Sequence, residues 1–325
     1  MSSLVIVKLL VIFLVVGAGW LAGRLRLLGD GDPARTLSYA AFYIFVPALL
    51  FRTTARIDFH QLDATVLLAF FLPTLALLAV VYTTQRLRGH MAIGRAAWPS
   101  VRGISAVFGN SVQIGIPFAA ALYGDTGLAI HVTIVSLHAL ILLTLLTALV
   151  EIDLARERHR TDPGHARLWH LLGTTARNTV IHPVVLPVLA GLAFNIAGIV
   201  LPGLADDFLA TLGLAVVPLC LVLIGVSLAQ YGVRGAVRGA AALSVVKLLV
   251  HPLLVFIAAR FGFGLGGVPL AVVVMMAALP VGSNALVFAQ RYDTLKAETS
   301  AAIVFSTLGF VVTAPLWLAV LAALG

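Results

Sequence analysis

Long apolar stretches alternate with short polar segments along the whole chain, and the polar segments hold nearly all of the charged residues. The stretches fall near Leu4–Gly23, Thr36–Thr53, Ala64–Gln85, Gly103–Tyr123, Gly127–Val150, Val180–Val200, Phe208–Gln230, Ala240–Phe261, Val268–Gln290 and Thr299–Ala323. A helix needs roughly 20 apolar residues to cross about 30 Å of hydrocarbon, so the pattern predicts ten transmembrane spans. The first stretch, with Lys8 ahead of an apolar run and small residues at Gly17–Ala18–Gly19, has the form of a signal peptide. It is read as a span because an internal repeat requires it.

The longest polar segment, residues 151–178 with ERHRTDPGHAR at its centre, is read as a cytoplasmic linker between a first unit, 1–150, and a second, 179–325. Each unit then has five spans. An odd number forces the second unit to lie inverted in the membrane relative to the first. Pro47 recurs as Pro218, Pro117 as Pro280, and Tyr123-Gly-Asp125-Thr126 as Tyr292-Asp293-Thr294, at offsets of 163 to 171 residues. The expected fold is therefore all-α and polytopic, with two inverted five-helix repeats.

Composition agrees. Hydrophobic residues are 61% and charged residues 10% of the 325 positions, with a mean hydropathy of +1.08, whereas a soluble domain carries about 25% charge. A net charge of +8 would suggest a nucleic-acid partner in a soluble protein. Here sixteen Arg and Lys fall in alternate segments, from Arg24 to Lys296, against three (Arg52, Arg56 and Arg260) in the others. The positive-inside rule places the rich segments in the cytoplasm and both termini outside, in a cell (inner) membrane, and removes the need for nucleic acid. Cys220 is the only cysteine, so no internal disulfide forms, and no metal-ligand spacing or cofactor motif appears. No nucleophile elbow, phosphate-cradling loop or catalytic pair at depth is present, so an enzyme is not expected. Transport would run on gradients or on the membrane potential.

Candidate chemistry concentrates in spans four and nine. Span four carries Asn110, Ser111, Gln113, Gly115 and Pro117; span nine carries Pro280, Gly282, Ser283 and Asn284. Proline removes a backbone hydrogen bond, so each helix is expected to break there. In lipid such breaks survive only where they are buried in protein or line a wet cavity. Broken helices at matching positions of inverted repeats point to a transport site. The half-helix starting at Pro117 or near Pro280–Gly282 would present N–H groups to a carboxylate, with Asn110, Gln113, Ser283 and Asn284 as neutral partners. Carbonyls at the preceding half-helix ends leave a cation site open.

All thirteen acidic residues lie in loops or at span ends, which argues against a cation antiporter or proton pump. Lys247, in span eight, is the deep cation. Either it partners an anionic substrate or it snorkels to the interface two turns away. His131 and His138, seven apart on span five, and His251 are candidates for proton coupling.

The chain resembles the auxin efflux carrier family, which includes plant auxin exporters and bacterial permeases for small carboxylates. The resemblance rests on FVPALLF at Pro47, FGNSVQIGIPFAAALYGDTGLA at Pro117, VVPLCLVLIGVSLA at Pro218, VVKLLVHPLL at Lys247 and MMAALPVGSNALVFAQRYD at Pro280. It implies that spans four and nine cross at Pro117 and Pro280. It implies too a scaffold of spans one, two, six and seven, and an elevator-like core that carries malate, malonate or an auxin-like acid. A homodimer is implied by the resemblance alone. The architecture is also similar to sodium–bile acid symporters, so sodium or proton coupling both stay open. A non-transporting receptor or scaffold is the reading from another class, and the short loops give it little support.

Overall fold

The computed structural model describes residues 3–29, 31–56, 63–89, 95–161, 181, 183, 185–231 and 236–324. Those residues form helices and one isolated β-bridge, with no strand. In chain order the helices are α1 (Ser3–Arg24), α2 (Pro33–Ala55), α3 (Ala64–Gly89), α4 (Trp98–Val107), α5 (Ile116–Thr161), α6 (Val185–Ile196), α7 (Gly203–Tyr231), α8 (Val237–Gly262), α9 (Gly267–Ala278), α10 (Asn284–Arg291) and α11 (Lys296–Leu324). Among the described residues six helices are long and apolar enough to cross a membrane: α2, α3, the part of α5 from Thr126 to Glu157, α7, α8 and α11. α1 is a further apolar helix of 22 residues, and α6 and α9 are shorter apolar helices. The protein is thus a polytopic integral membrane protein.

Several boundaries follow from local chemistry. α2 starts where the Asp32 side chain accepts from the Arg35 N–H at 3.0 Å, with Pro33 at the first helical position, where its missing donor costs nothing. α5 bends at Gly124, whose φ of 61° and ψ of −154° no other residue adopts easily. It then continues to Thr161, past the expected linker boundary at 151; residues 162–178 of that linker lie outside the described residues. Three π-helical turns, Ala41–Phe45, Ser111–Gly115 and Val246–Val250, each end two residues before a proline: Pro47, Pro117 and Pro252. A proline ring clashes with the carbonyl four residues earlier, and a widened turn relieves that contact. At Pro252 the freed carbonyl is Leu248 O, and the Trp317 indole N–H of α11 donates to it at 2.9 Å.

Packing separates the helices into two groups. α1 lies along α7, and α2 packs on α6 and α7; α3 packs on α4, α8 packs on α11, and α9 is surrounded by α3, α5, α8 and α11. Small residues set the first contact. A Cβ on Gly225 would run into Val16 O and the Trp20 N–H, and one on Gly19 into the Val222 backbone. Without a hydrophobic drive between helices in lipid, such close backbone approach supplies the association. Gly225→Leu is therefore expected to force α1 off α7 and lower the yield of monodisperse protein in detergent several-fold. Fluorescence-detected size exclusion reads this directly, and an unchanged profile would show that the α1–α7 contact is not needed.

Candidate functional site

α4 ends at Val107 and the chain turns extended at Phe108 (φ −85°, ψ 107°); α9 ends at Ala278 and Leu279 does the same (φ −56°, ψ 146°). The two interruptions meet. Gly109 and Val281 pair as an antiparallel bridge, with Asn110 N donating to Pro280 O and Gly282 N donating to Phe108 O, both at 2.8 Å. Val281 N donates to Ser306 Oγ on α11 at 3.0 Å. Each break thereby satisfies backbone groups of the other, which no helix could do alone inside an apolar medium. Glycine is required at the crossing. A Cβ on Gly282 would lie 2.8 Å from Gly109 O, and one on Gly109 3.3 Å from the Leu279 side chain.

The break in span four lies at residues 108–110, not at Pro117. Helical structure resumes with the π turn at Ser111, so Pro117 falls in the first α-helical turn, where a proline is tolerated and widens the turn ahead of it. The side chains of Gln113 and Pro117 lie outside the described residues. On the other side helix resumes at Asn284, with Ser283 at the N-cap position but making no side-chain cap, just after Pro280 and Gly282, as expected from the sequence. Asn110, Ser111 and Ser283 are buried and Asn284 is half-buried, so the polar residues of both restarts gather at one point in the fold. Gly115 is held by shape: a Cβ there would come within 2.6 Å of the His131 ring and 2.8 Å of Leu279.

Lys247 is fully buried. Its Nζ donates to Ala277 O in the last turn of α9 at 2.5 Å and lies 3.4 Å from His251 Nδ1. It also sits 3.5 Å from the position of a Cβ at Gly109. Snorkelling is thereby excluded: the side chain turns inward to the crossing rather than outward to the interface.

The three histidines are part of the same construction. His251 Nε2 lies 2.9 Å from Thr74 Oγ1, whose own proton goes to Phe70 O at 2.6 Å. The imidazole thus lies between Thr74 on one side and Lys247 on the other. His131 Nε2 meets Ser111 O at 2.8 Å. His138 bonds the Val107 backbone and packs on Phe108, ring centroids 4.2 Å apart. Lys247, His131 and His138 thus supply donors to carbonyls on either side of the breaks.

A small cavity of about 10 Å³ opens beside the crossing, lined by Gly115, Tyr123, His131, Met275, Met276 and Leu279 among others. It has room for about one water molecule, not for a dicarboxylate. Thr74, Ser306 and Trp317 complete the site and were not singled out from sequence. Only Trp317 had a readable signal, since Pro252 guarantees an orphan carbonyl four residues earlier.

With this geometry in hand, comparisons place the chain. Residues 4–318 match the family described as membrane transport protein. An "Uncharacterized transporter" of Methanothermobacter thermautotrophicus is 27% identical over 315 residues, covering 95% of this chain and 96% of the relative. A "Putative malonate transporter" of Rhizobium meliloti is 24% identical over 302 residues, covering 93% of this chain and 91% of the relative.

Proposed function

Because the chain belongs to the membrane transport protein family, the group anticipated by its resemblance to auxin efflux carriers, we propose that it is a secondary carrier moving a small organic anion, with malonate the first candidate. The observation that carries the reading is the reciprocal bridge at Gly109 and Val281, which brings two helix restarts to one place. Each restart carries roughly half a positive elementary charge, so together they offer about one, the charge of a carboxylate. Asn110, Ser111, Gln113, Ser283 and Asn284 are the neutral partners around it, with Gly115, Pro117, Pro280 and Gly282 shaping the backbone. Lys247, the anion partner expected from sequence, lies buried beside the crossing with its Nζ on Ala277 O.

Alternating access would come from an elevator-like step in which α3, α4, α5 and α8–α11 move against α1, α2, α6 and α7. The division of packing between those groups supports it. Among the described residues the polar ties between them near the crossing include Gln290 Nε2 to Ser227 Oγ at 3.2 Å, Arg291 Nη1 to Tyr43 OH at 2.8 Å, and the Cys220 thiol with Ser283. This reading keeps the ten-span inverted repeat with both termini outside. A relative named for malonate motivates the substrate, and that name belongs to the relative alone.

Asn284→Ala should lower uptake of radiolabelled malonate into proteoliposomes about tenfold, the loss of one hydrogen bond to a charged group, and Pro280→Ala should lower it by restoring a backbone N–H and loosening the break. Folded protein should still reach the membrane. Uptake that is unaltered in both variants rules out binding at the crossing. Counterflow with a panel of mono- and dicarboxylates identifies the substrate.

A further inference from the structure

The crossing has a second face, formed by helix ends rather than helix starts. α4 and α9 both terminate there, and each C-terminus carries roughly half a negative elementary charge on carbonyls that have lost their helical donors. Together they offer about one negative charge inside protein, the condition under which a monovalent cation is held. The position is filled. Lys247 Nζ donates to Ala277 O at the end of α9 at 2.5 Å and lies 3.5 Å from a Cβ position at Gly109, two residues past the end of α4. Its charge of one matches theirs.

We infer that Lys247 is a tethered cation occupying the place of a coupling sodium ion, so that this carrier neither needs nor binds an alkali cation at the crossing. The inference rests on the carrier reading for its meaning in transport, but its geometry stands apart from substrate identity. Three features support it. Among the described residues no group of three or more acidic, histidine or cysteine side chains could hold a metal ion, so a free cation at the crossing would have to compete with Lys247 for backbone carbonyls such as Ala277 O. His251 packs between Thr74 Oγ1 at 2.9 Å and the Lys247 ammonium at 3.4 Å, which makes it a positioning residue for Lys247. The π turn at Val246–Val250 rotates the Lys247 side chain towards α9, and Trp317 stabilises that turn through Leu248 O.

Truncating the lysine should open a vacancy of the right charge. The purified protein is heated in detergent at constant ionic strength in choline, sodium or methylammonium chloride, with no substrate present. Wild type is expected to unfold at one temperature in all three salts. Lys247→Ala is expected to unfold earlier in choline and to regain about 5 °C, saturably, in methylammonium or sodium. Lys247→Met, which fills the space without charge, should show no such response. A saturable, sodium-specific stabilisation of wild type overturns the inference, as does a Lys247→Ala protein that ignores the cation. If Lys247→Ala yields no folded protein, the wild-type comparison decides alone: equal midpoints uphold the inference and a sodium-specific shift overturns it. Malonate uptake with sodium replaced by choline on both sides should keep its full rate. Absence of any malonate uptake would count against the substrate reading and leave the thermal result to judge Lys247.

Discussion

Gly282→Val is expected to remove folded carrier from the membrane almost completely. The added Cβ would stand 2.8 Å from Gly109 O and 3.0 Å from its carbonyl carbon, and the obstacle is backbone, not a side chain able to swing away. Relief requires the two strands of the crossing to part, which breaks Gly282 N to Phe108 O and Asn110 N to Pro280 O together. Each buried group left unpaired costs about 1–3 kcal/mol, and more where lipid replaces water as the surroundings. Two lost bonds therefore outweigh much of the stability of an ordinary domain, about 5–15 kcal/mol. Membrane-extracted protein of the correct size should fall about tenfold or more by fluorescence-detected size exclusion. Gly17→Val is the control, since nothing lies within 4 Å of a Cβ at that position. Equal loss in both variants would trace the effect to valine in a membrane helix and not to the crossing.

Arg102→Ala is expected to cost nearly as much by an unrelated route. Arg102 on α4 grips Glu298 on α11 with two hydrogen bonds of 2.8 and 2.9 Å, and its third arm reaches Gln85 on α3 at 2.6 Å. Glu298 is only 7% exposed and has Gly239 pressed against its carboxylate, so water cannot readily replace the guanidinium. Breaking one side of a buried pair costs about 3–5 kcal/mol because the remaining charge is stranded. Arg102 is itself a quarter exposed, with 24% of its side chain accessible, which favours the lower end. A drop of about 5–10 °C in the unfolding midpoint is the expected result. Arg102→Met with Glu298→Met should recover most of it, because the cost lies in the orphaned charge and not in the missing attraction. A double variant as unstable as the single would place the loss elsewhere, in the Gln85 contact or the stacking of Arg102 on Trp98.

The membrane class was legible at once, because apolar runs of span length leave a soluble chain no interior to hold them. The break in span nine was legible almost to the residue. Pro280, Gly282, Ser283 and Asn284 interrupt an apolar run, and α9 ends and α10 begins on either side of them. Span four was read seven residues late. Its proline marks where the turn widens, whereas the backbone opens at Phe108 to Asn110, where a glycine admits the partner strand. A crossing is an agreement between two distant segments, and no local signal in one of them states where the other will lie.

The remaining difference is one of direction. Sequence by itself determined the polytopic membrane class, the asymmetry of the charges between apolar runs and the residue types gathered at the breaks, since each depends only on what lipid tolerates at a given depth. Only the tertiary structure decided what Lys247 and the histidines touch. A lysine two turns from an interface reaches lipid headgroups or protein interior according to the face of its helix, and packing fixes that face. Here packing turns it inward to Ala277 O at the end of α9 and to the neighbourhood of Gly109, and so to the crossing.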